Sequence, residues 1–223
     1  MTRPISPYLA PGFYEDALAK GRHRDIVGGR WDETGRIQML VLRDAGLQPQ
    51  DRLLDIGAGS LRLGCKAVPY LNPGNYWATD QSRALMLRGH AAELAEPDRL
   101  PTTNLIEDAD FSFPGLPYDI DFAIAFAVFT HLPRGHLADA LPRIRTRFPR
   151  LQRLLFTVFL APDADALIRA YRQPDGVVTH PDRAPWHMLA EDALGLATTA
   201  GFSASLRPDR LPRGQALIDA IPA

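Results

Sequence analysis

One apolar run, Arg52-Leu53-Leu54-Asp55-Ile56, enters a turn with two glycines, Gly57 and Gly59, and a second ends in an acid, Asp80, about twenty residues on. Few folds can use that pattern. Glycine lets the main chain come close to a ligand, and a carboxylate at a strand end can accept hydrogen bonds from both hydroxyls of a ribose. Together they are how an α/β sheet holds the adenosine end of a ligand.

The rest of the chain alternates in the way such a sheet requires. Strands are predicted over Arg52–Ile56, Tyr76–Asp80, Asn104–Asp108, Ile120–Phe126 and Leu154–Leu160. Helices are predicted over Leu61–Leu71, Ser82–Leu94, Gly135–Arg147 and Asp163–Arg172. Strand and helix in alternation call for a mostly parallel sheet covered on both faces. The end of the chain departs from this rule. A helix over Glu191–Ala200 stops at Gly201, and two strands follow, Phe202–Leu206 and Gln215–Ile221. About eight residues join them, too few for a crossover helix, so they pair antiparallel. Ahead of the first strand, Phe13–Lys20 reads as a short helix. Asp32 and Thr34 offer N-caps for a second one, with Gly46 just beyond its C-terminus.

Composition narrows the function. A length of 223 residues suits one well-buried α/β domain, and a formal charge of -1 implies no basic face for nucleic acid. A lone cysteine, Cys65, excludes a disulfide and argues against a thiolate metal site. The N-terminus has Arg3, Pro4 and Pro7 but no apolar stretch of signal-peptide type, and no run is long enough to span a membrane. A cytoplasmic protein without a membrane partner is the plain expectation. Monomer and homodimer both stay open.

The motifs, taken in order, resemble the class I S-adenosylmethionine (SAM)-dependent methyltransferases. Asp55-x-Gly57-x-Gly59 is similar to the family's first motif, Asp80 to its ribose-binding acid, and Glu107-Asp108-Ala109 to its adenine-contacting motif. The run from Asp121 to Leu132 resembles the fourth strand and its active-site end. The resemblance covers Thr34 to the C-terminus, and it departs at Leu61, where the family often has a third glycine. It implies a Rossmann-like, doubly wound, seven-stranded sheet with a C-terminal antiparallel hairpin and helices on both faces. It implies a lid or cap in residues 1–50 and a SAM-binding domain in residues 51–223, within one structural domain. The implied activity is metal-independent methyl transfer to an oxygen or nitrogen of a small-molecule, biosynthetic acceptor, releasing S-adenosylhomocysteine. A protein that binds SAM without transferring its methyl group is the alternative.

Several residues carry this reading. Gly57, Ala58 and Gly59 are read as lying against the methionine part of the cofactor, with Asp55 holding either the turn or the cofactor's ammonium; a tight strand-to-helix turn without a ligand is the alternative. Arg62 has two readings: a charge-assisted partner for the methionine carboxylate, or a salt bridge from the first helix turn to the N-terminal segment. It also stands where a dinucleotide site needs a third small residue, which counts against NAD. Asp80 with Gln81 beside it, Asp108 with Ala109, and the wall residue Phe126 complete the cofactor set. Asp80 has a competing role as an N-cap. Candidate general bases are His131, His136, His180 and His187, of which His131, at the carboxyl edge after the fourth strand, and His187 are singled out. For His131 the alternative is a buried histidine that fixes its loop. Tyr14, Trp31 and Trp186 are the candidate substrate contacts; Trp31 offers an aromatic face to positive charge, and Trp186 and His187 share a loop between Gln173 and Leu189. A structural role is the alternative for each.

Overall fold

A computed structural model describes Ser6, Tyr8, Ala10 and residues 12–223. Residues 1–5, 7, 9 and 11, with the Arg3, Pro4 and Pro7 of the N-terminal reading, lie outside the described residues. The chain divides into two compact units.

The first unit runs from Gly12 to Ile124, with Phe148–Leu151. It opens with α1 (Phe13–Ala19) and α2 (Trp31–Asp44), followed by β1 (Leu53–Ile56), α3 (Gly64–Tyr70), β2 (Tyr76–Asp80), α4 (Arg83–Glu93), β3 (Leu105–Glu107) and β4 (Phe122–Ala125). The strands are parallel in the order β3-β2-β1-β4. Leu53 pairs with Tyr76 on one side and Phe122 on the other, and Asp55 with Ala78 and Ile124. Every residue of β1 and β4 is buried, as expected where a sheet is covered on both faces. Two boundaries differ from expectation. Asp32 and Thr34 are not N-caps but lie inside the first turn of α2, which starts after Arg30 in the left-handed region. There Asp32 complements the helix dipole and accepts a hydrogen bond from Lys66. Helix α3 begins at Gly64 rather than Leu61 because Leu61 has φ 62°, outside helical geometry.

The second unit comprises Ala125–Arg147 and Gln152–Ala223, with Ser6, Tyr8 and Ala10. It contains α5 (Arg134–Arg147), β5 (Arg153–Leu160), α6 (Ala164–Leu167), β6 (Tyr171–Arg172), β7 (Val178–Thr179), β8 (His187–Met188), α7 (Ala190–Thr199), β9 (Phe202–Arg207) and β10 (Ala216–Pro222). Strand β10 lies antiparallel between β5 and β9, so the closing hairpin forms as its short connection requires. Gly201, at φ 86°, terminates α7. The helix expected over Asp163–Arg172 is a single turn, α6, capped by the Asp163 carboxylate. The chain then turns back through Gln173-Pro174-Asp175-Gly176 into the β6–β7 hairpin, where a proline and a left-handed glycine favour a turn over helix. His187 lies not in a loop but on β8, paired parallel with Phe159 and Leu160 of β5.

The fold is thus α/β, with a mostly parallel sheet, helices and a C-terminal antiparallel strand pair, the Rossmann-like arrangement expected. All seven expected strands are present; β6, β7 and β8 are short additions among the described residues. No helix among those residues is long and apolar enough to cross a membrane.

Candidate functional site

The glycine turn is locked to the end of β2. Thr79 O accepts from both Gly57 N–H and Ala58 N–H, at 2.8 and 3.0 Å. The Asp80 carboxylate accepts from Gly59 N–H at 2.9 Å through one oxygen and from Ser82 N–H at 3.0 Å through the other. Ser82, not Asp80, caps α4, by accepting from Leu85 N–H. Asp80 therefore ties the turn to the helix start. An ionised carboxylate has about four acceptor positions, so it keeps capacity for a ligand's hydroxyls. Gly57 and Gly59 have φ 72° and 57°, the left-handed region glycine favours.

Asp55 and Asp80 are both buried, which disfavours their charged forms. Burial pushes Asp55 up to about 7, against the opposing pull of the Tyr76 hydroxyl, which donates to Asp55 at 2.6 Å, and of the Arg62 guanidinium. Burial pushes Asp80 up to about 6, held back by the Ser82 and Gly59 amides. Such raised values are common where a site is organised for a ligand.

Two helices and a strap close on this turn. A Cβ on Gly89 of α4 would lie 2.1 Å from Ser60 O, and one on Gly35 of α2 2.9 Å from Arg62 O. The strap, Arg22–Arg30, is fastened by its carbonyls: Ser60 Oγ donates to His23 O at 2.7 Å, and Arg62 Nη1 to Val27 O and Gly29 O at 2.8 and 3.3 Å. Arg62 thus takes the tie to the N-terminal segment through main-chain oxygens rather than a salt bridge. Val27 sits over Gly59, its Cγ1 2.5 Å from where a Cβ would be. At one end of the strap Glu93 accepts from His23 and twice from Arg24. Trp31 takes Arg24 as its positive partner, the guanidinium 5.2 Å from the ring centroid. Tyr14 receives a hydrogen bond from the Gln81 amide.

Asp108 organises its own loop. Its carboxylate accepts from the amides of Asp110, Ser112 and Phe113. That pattern holds Phe111 and Phe113 at φ 59° and 53°. Ala109 is exposed next to it. All the cofactor candidates except Phe126 therefore belong to one unit.

Phe126, Trp186 and the four histidines belong to the other. Phe126 is buried directly after β4. Ala127 follows at φ 62°, its N–H donating to Thr157 Oγ1 at 2.7 Å, while that hydroxyl donates to Gln215 Oε1 at 2.6 Å. His131 packs edge-to-face on Tyr8, with ring centroids 4.8 Å apart. Burial, then the Arg213 cation, lowers its pKa to about 4, so it is neutral and weakly basic near pH 7. His187 is buried with both ring nitrogens engaged. Nε2 donates to Leu167 O at 3.1 Å, which leaves Nδ1 to accept from the Thr179 hydroxyl at 2.7 Å. That geometry is architectural. His136 lies in α5, and His180 bridges to Trp186. Trp186 N–H donates to Thr130 O at 2.8 Å.

Sequence reasoning passed over Tyr76, Gly89, Thr130 and Thr157. Only Gly89 carried a signal, a glycine in the middle of a regular helix pattern.

No protein-family model matches the chain. Solved structures do. The magnesium protoporphyrin IX methyltransferase from Synechocystis, with bound SAM, is 14% identical and superposes with a TM-score of 0.63 over 94% of each chain. The 1,6-didemethyltoxoflavin-N1-methyltransferase from Burkholderia thailandensis, bound to 1,6-didemethyltoxoflavin and S-adenosylhomocysteine, is 17% identical with a TM-score of 0.64, covering 100% of this chain and 93% of that one. A TehB-like SAM-dependent methyltransferase from Corynebacterium glutamicum is 15% identical with a TM-score of 0.59, covering 96% of this chain and all of that one. At these identities the likeness is one of fold.

Proposed function

We propose that this chain is a cytoplasmic SAM-dependent methyltransferase acting on an oxygen or nitrogen of a small molecule. One observation carries the reading: Asp80, the acid at the end of β2, is hydrogen-bonded to the second glycine of the turn after β1. That couples the acceptor for ribose hydroxyls to the turn that lies against the rest of the cofactor. Left-handed glycines and a strand-end carboxylate fit the adenosine and methionine portions of SAM. The cofactor supplies an electrophilic methyl group when bound. In this reading Asp80 and Gln81 orient the ribose, and Asp108 and Ala109 face the adenine. Gly57, Ala58 and Gly59 receive the methionine portion, with Asp55 on the strand that enters the turn. Residues ahead of β1, led by the strap, act as the lid that excludes water, a role supported by Val27 on Gly59 and by the Arg62 tie.

Transfer of this kind is an in-line displacement that depends chiefly on alignment. His131 is neutral near pH 7 and accepts a proton only weakly, and His187 has no nitrogen to spare. We therefore assign the rate mainly to positioning, on acceptors that are already ionised or only weakly protonated. The same two observations favour the second reading, a protein that binds SAM without transferring its methyl group.

Calorimetry with SAM, S-adenosylhomocysteine and NAD tests the cofactor. We expect both sulfur compounds to bind and NAD not to, and Asp80→Asn to weaken SAM at least about tenfold through loss of charge-assisted bonds. Binding of NAD alone would end this reading. Methyl-labelled SAM with a metabolite extract then separates the two readings: label transfer identifies an enzyme, and its absence with intact SAM binding identifies a binder.

A further inference from the structure

Three polar side-chain atoms on the segments after β4 and ahead of β8 are buried without a hydrogen-bond partner among the described residues: Thr130 Oγ1, His131 Nδ1 and Trp186 Nε1. Their residues are main-chain neighbours, since Thr130 and His131 are consecutive and the Trp186 backbone N–H donates to Thr130 O. Buried polar atoms are rarely left this way, because each forfeits its bonds to water without replacement. Three together mark a place where something else completes them. The surroundings define what that is. Tyr8 stands edge-on to the His131 ring. Arg213 is close enough to act on His131, from a backbone held at φ 68°. A non-glycine residue in that region persists only where its surroundings enforce it. They do here: Leu211 and Pro212 are buried, and Gly214 packs against Gln173 and Pro174. An indole N–H and a guanidinium can only donate, and a hydroxyl can also donate. The group is therefore rich in donors.

We propose that Thr130, His131 and Trp186, with Arg213, form a recognition site for a small aromatic anion, a ring bearing a carboxylate or phenolate, and that this is the methyl acceptor's class. The second clause rests on the transfer reading above; the first does not.

The test titrates the full chain with benzoate and 4-nitrophenolate, and with benzyl alcohol and benzylamine as neutral and cationic rings, each with and without S-adenosylhomocysteine. The two anions should saturate the protein while the amine does not, and the stronger anion tells carboxylate from phenolate. Trp186→Phe removes the indole donor while keeping a smaller aromatic ring and should weaken the favoured anion about tenfold, as should Arg213→Gln, with Arg213→Lys recovering most of the loss. Arg213 is exposed, so its variants keep the test valid if the tryptophan variant does not fold. Equal binding of benzylamine, or anion binding unchanged in both Trp186→Phe and Arg213→Gln, overturns the proposal. A protein that binds S-adenosylhomocysteine but no ring anion overturns this inference and leaves the cofactor reading intact. One that binds the anions with the expected variant pattern but no S-adenosylhomocysteine keeps the site and removes the transfer reading.

Discussion

At position 61 two opposing effects meet in one side chain. Leu61 occupies the left-handed region where the resemblance leads one to expect glycine, and it is completely buried. The backbone conformation costs about 1–2 kcal/mol for an L-residue, while removing a buried leucine costs about 2–5 kcal/mol. Burial wins. Leu61→Gly should therefore destabilise the protein by about 2 kcal/mol despite relieving the backbone, as read from urea unfolding; a stabilised variant would show that packing contributes less than strain. Position 89 has no such balance. A Cβ there meets a main-chain oxygen at 2.1 Å, which no rotamer change can relieve. Gly89→Ala should cost at least about 2 kcal/mol, lowering the melting temperature by roughly 4–8 °C for a chain of this size. At this scale position was legible: Gly57 and Gly59 stand in the left-handed turn after β1, and Asp80 at the end of β2. His187 was not legible, because its role depends on Thr179 and the Leu167 carbonyl, which only the folded chain brings to it.

Elements with a long regular pattern were legible almost to the residue: β2 and the closing hairpin are as expected, and α4 starts beside the serine that caps it. The segment from Asp163 to Leu189 was not. Its apolar residues fit one turn of helix as well as ten residues of it, and the Pro174-Asp175-Gly176 turn decided between them. A related element-scale device follows β4, where Thr157 of β5 links the Ala127 amide to Gln215 at the start of β10. The hydroxyl is both acceptor and donor, and it is wholly buried. Thr157→Val keeps its volume but strands both partners. A loss of about 2–4 kcal/mol is expected, since each buried unsatisfied group costs about 1–3 kcal/mol. Thr157→Ser should retain most of the stability. If valine and serine behave alike in thermal melts, the hydroxyl is not what holds the loop after β4.

For the whole molecule the two buried acids set a pH dependence. Folded Asp55 titrates near 7 and Asp80 near 6, whereas an aspartate in the unfolded chain titrates near 4. Between those values the folded protein retains protons the unfolded chain has released, so stability falls as pH rises from about 4 to about 7. The part due to Asp55 is at most about 4 kcal/mol. Unfolding free energies measured without ligand at pH 5 and pH 7.5 should show the fall, and Asp55→Asn should remove much of it. An unchanged pH profile in that variant would place the proton elsewhere. Fold class was legible at this scale because strand spacing and the short final connection leave few arrangements. The strap's hold on the turn was not, since it uses carbonyls that every residue carries. That grip has a consequence for how the chain can vary. Ser60 and Arg62 grasp oxygens and read no side chain, so that part of the grip survives changes at strap positions whose side chains make no contact of their own. A library randomised at Asp25 and Ile26 should yield folded members in abundance, whereas at Val27, which rests on Gly59, and at His23 and Arg24, which hold Glu93, the alphabet should shrink.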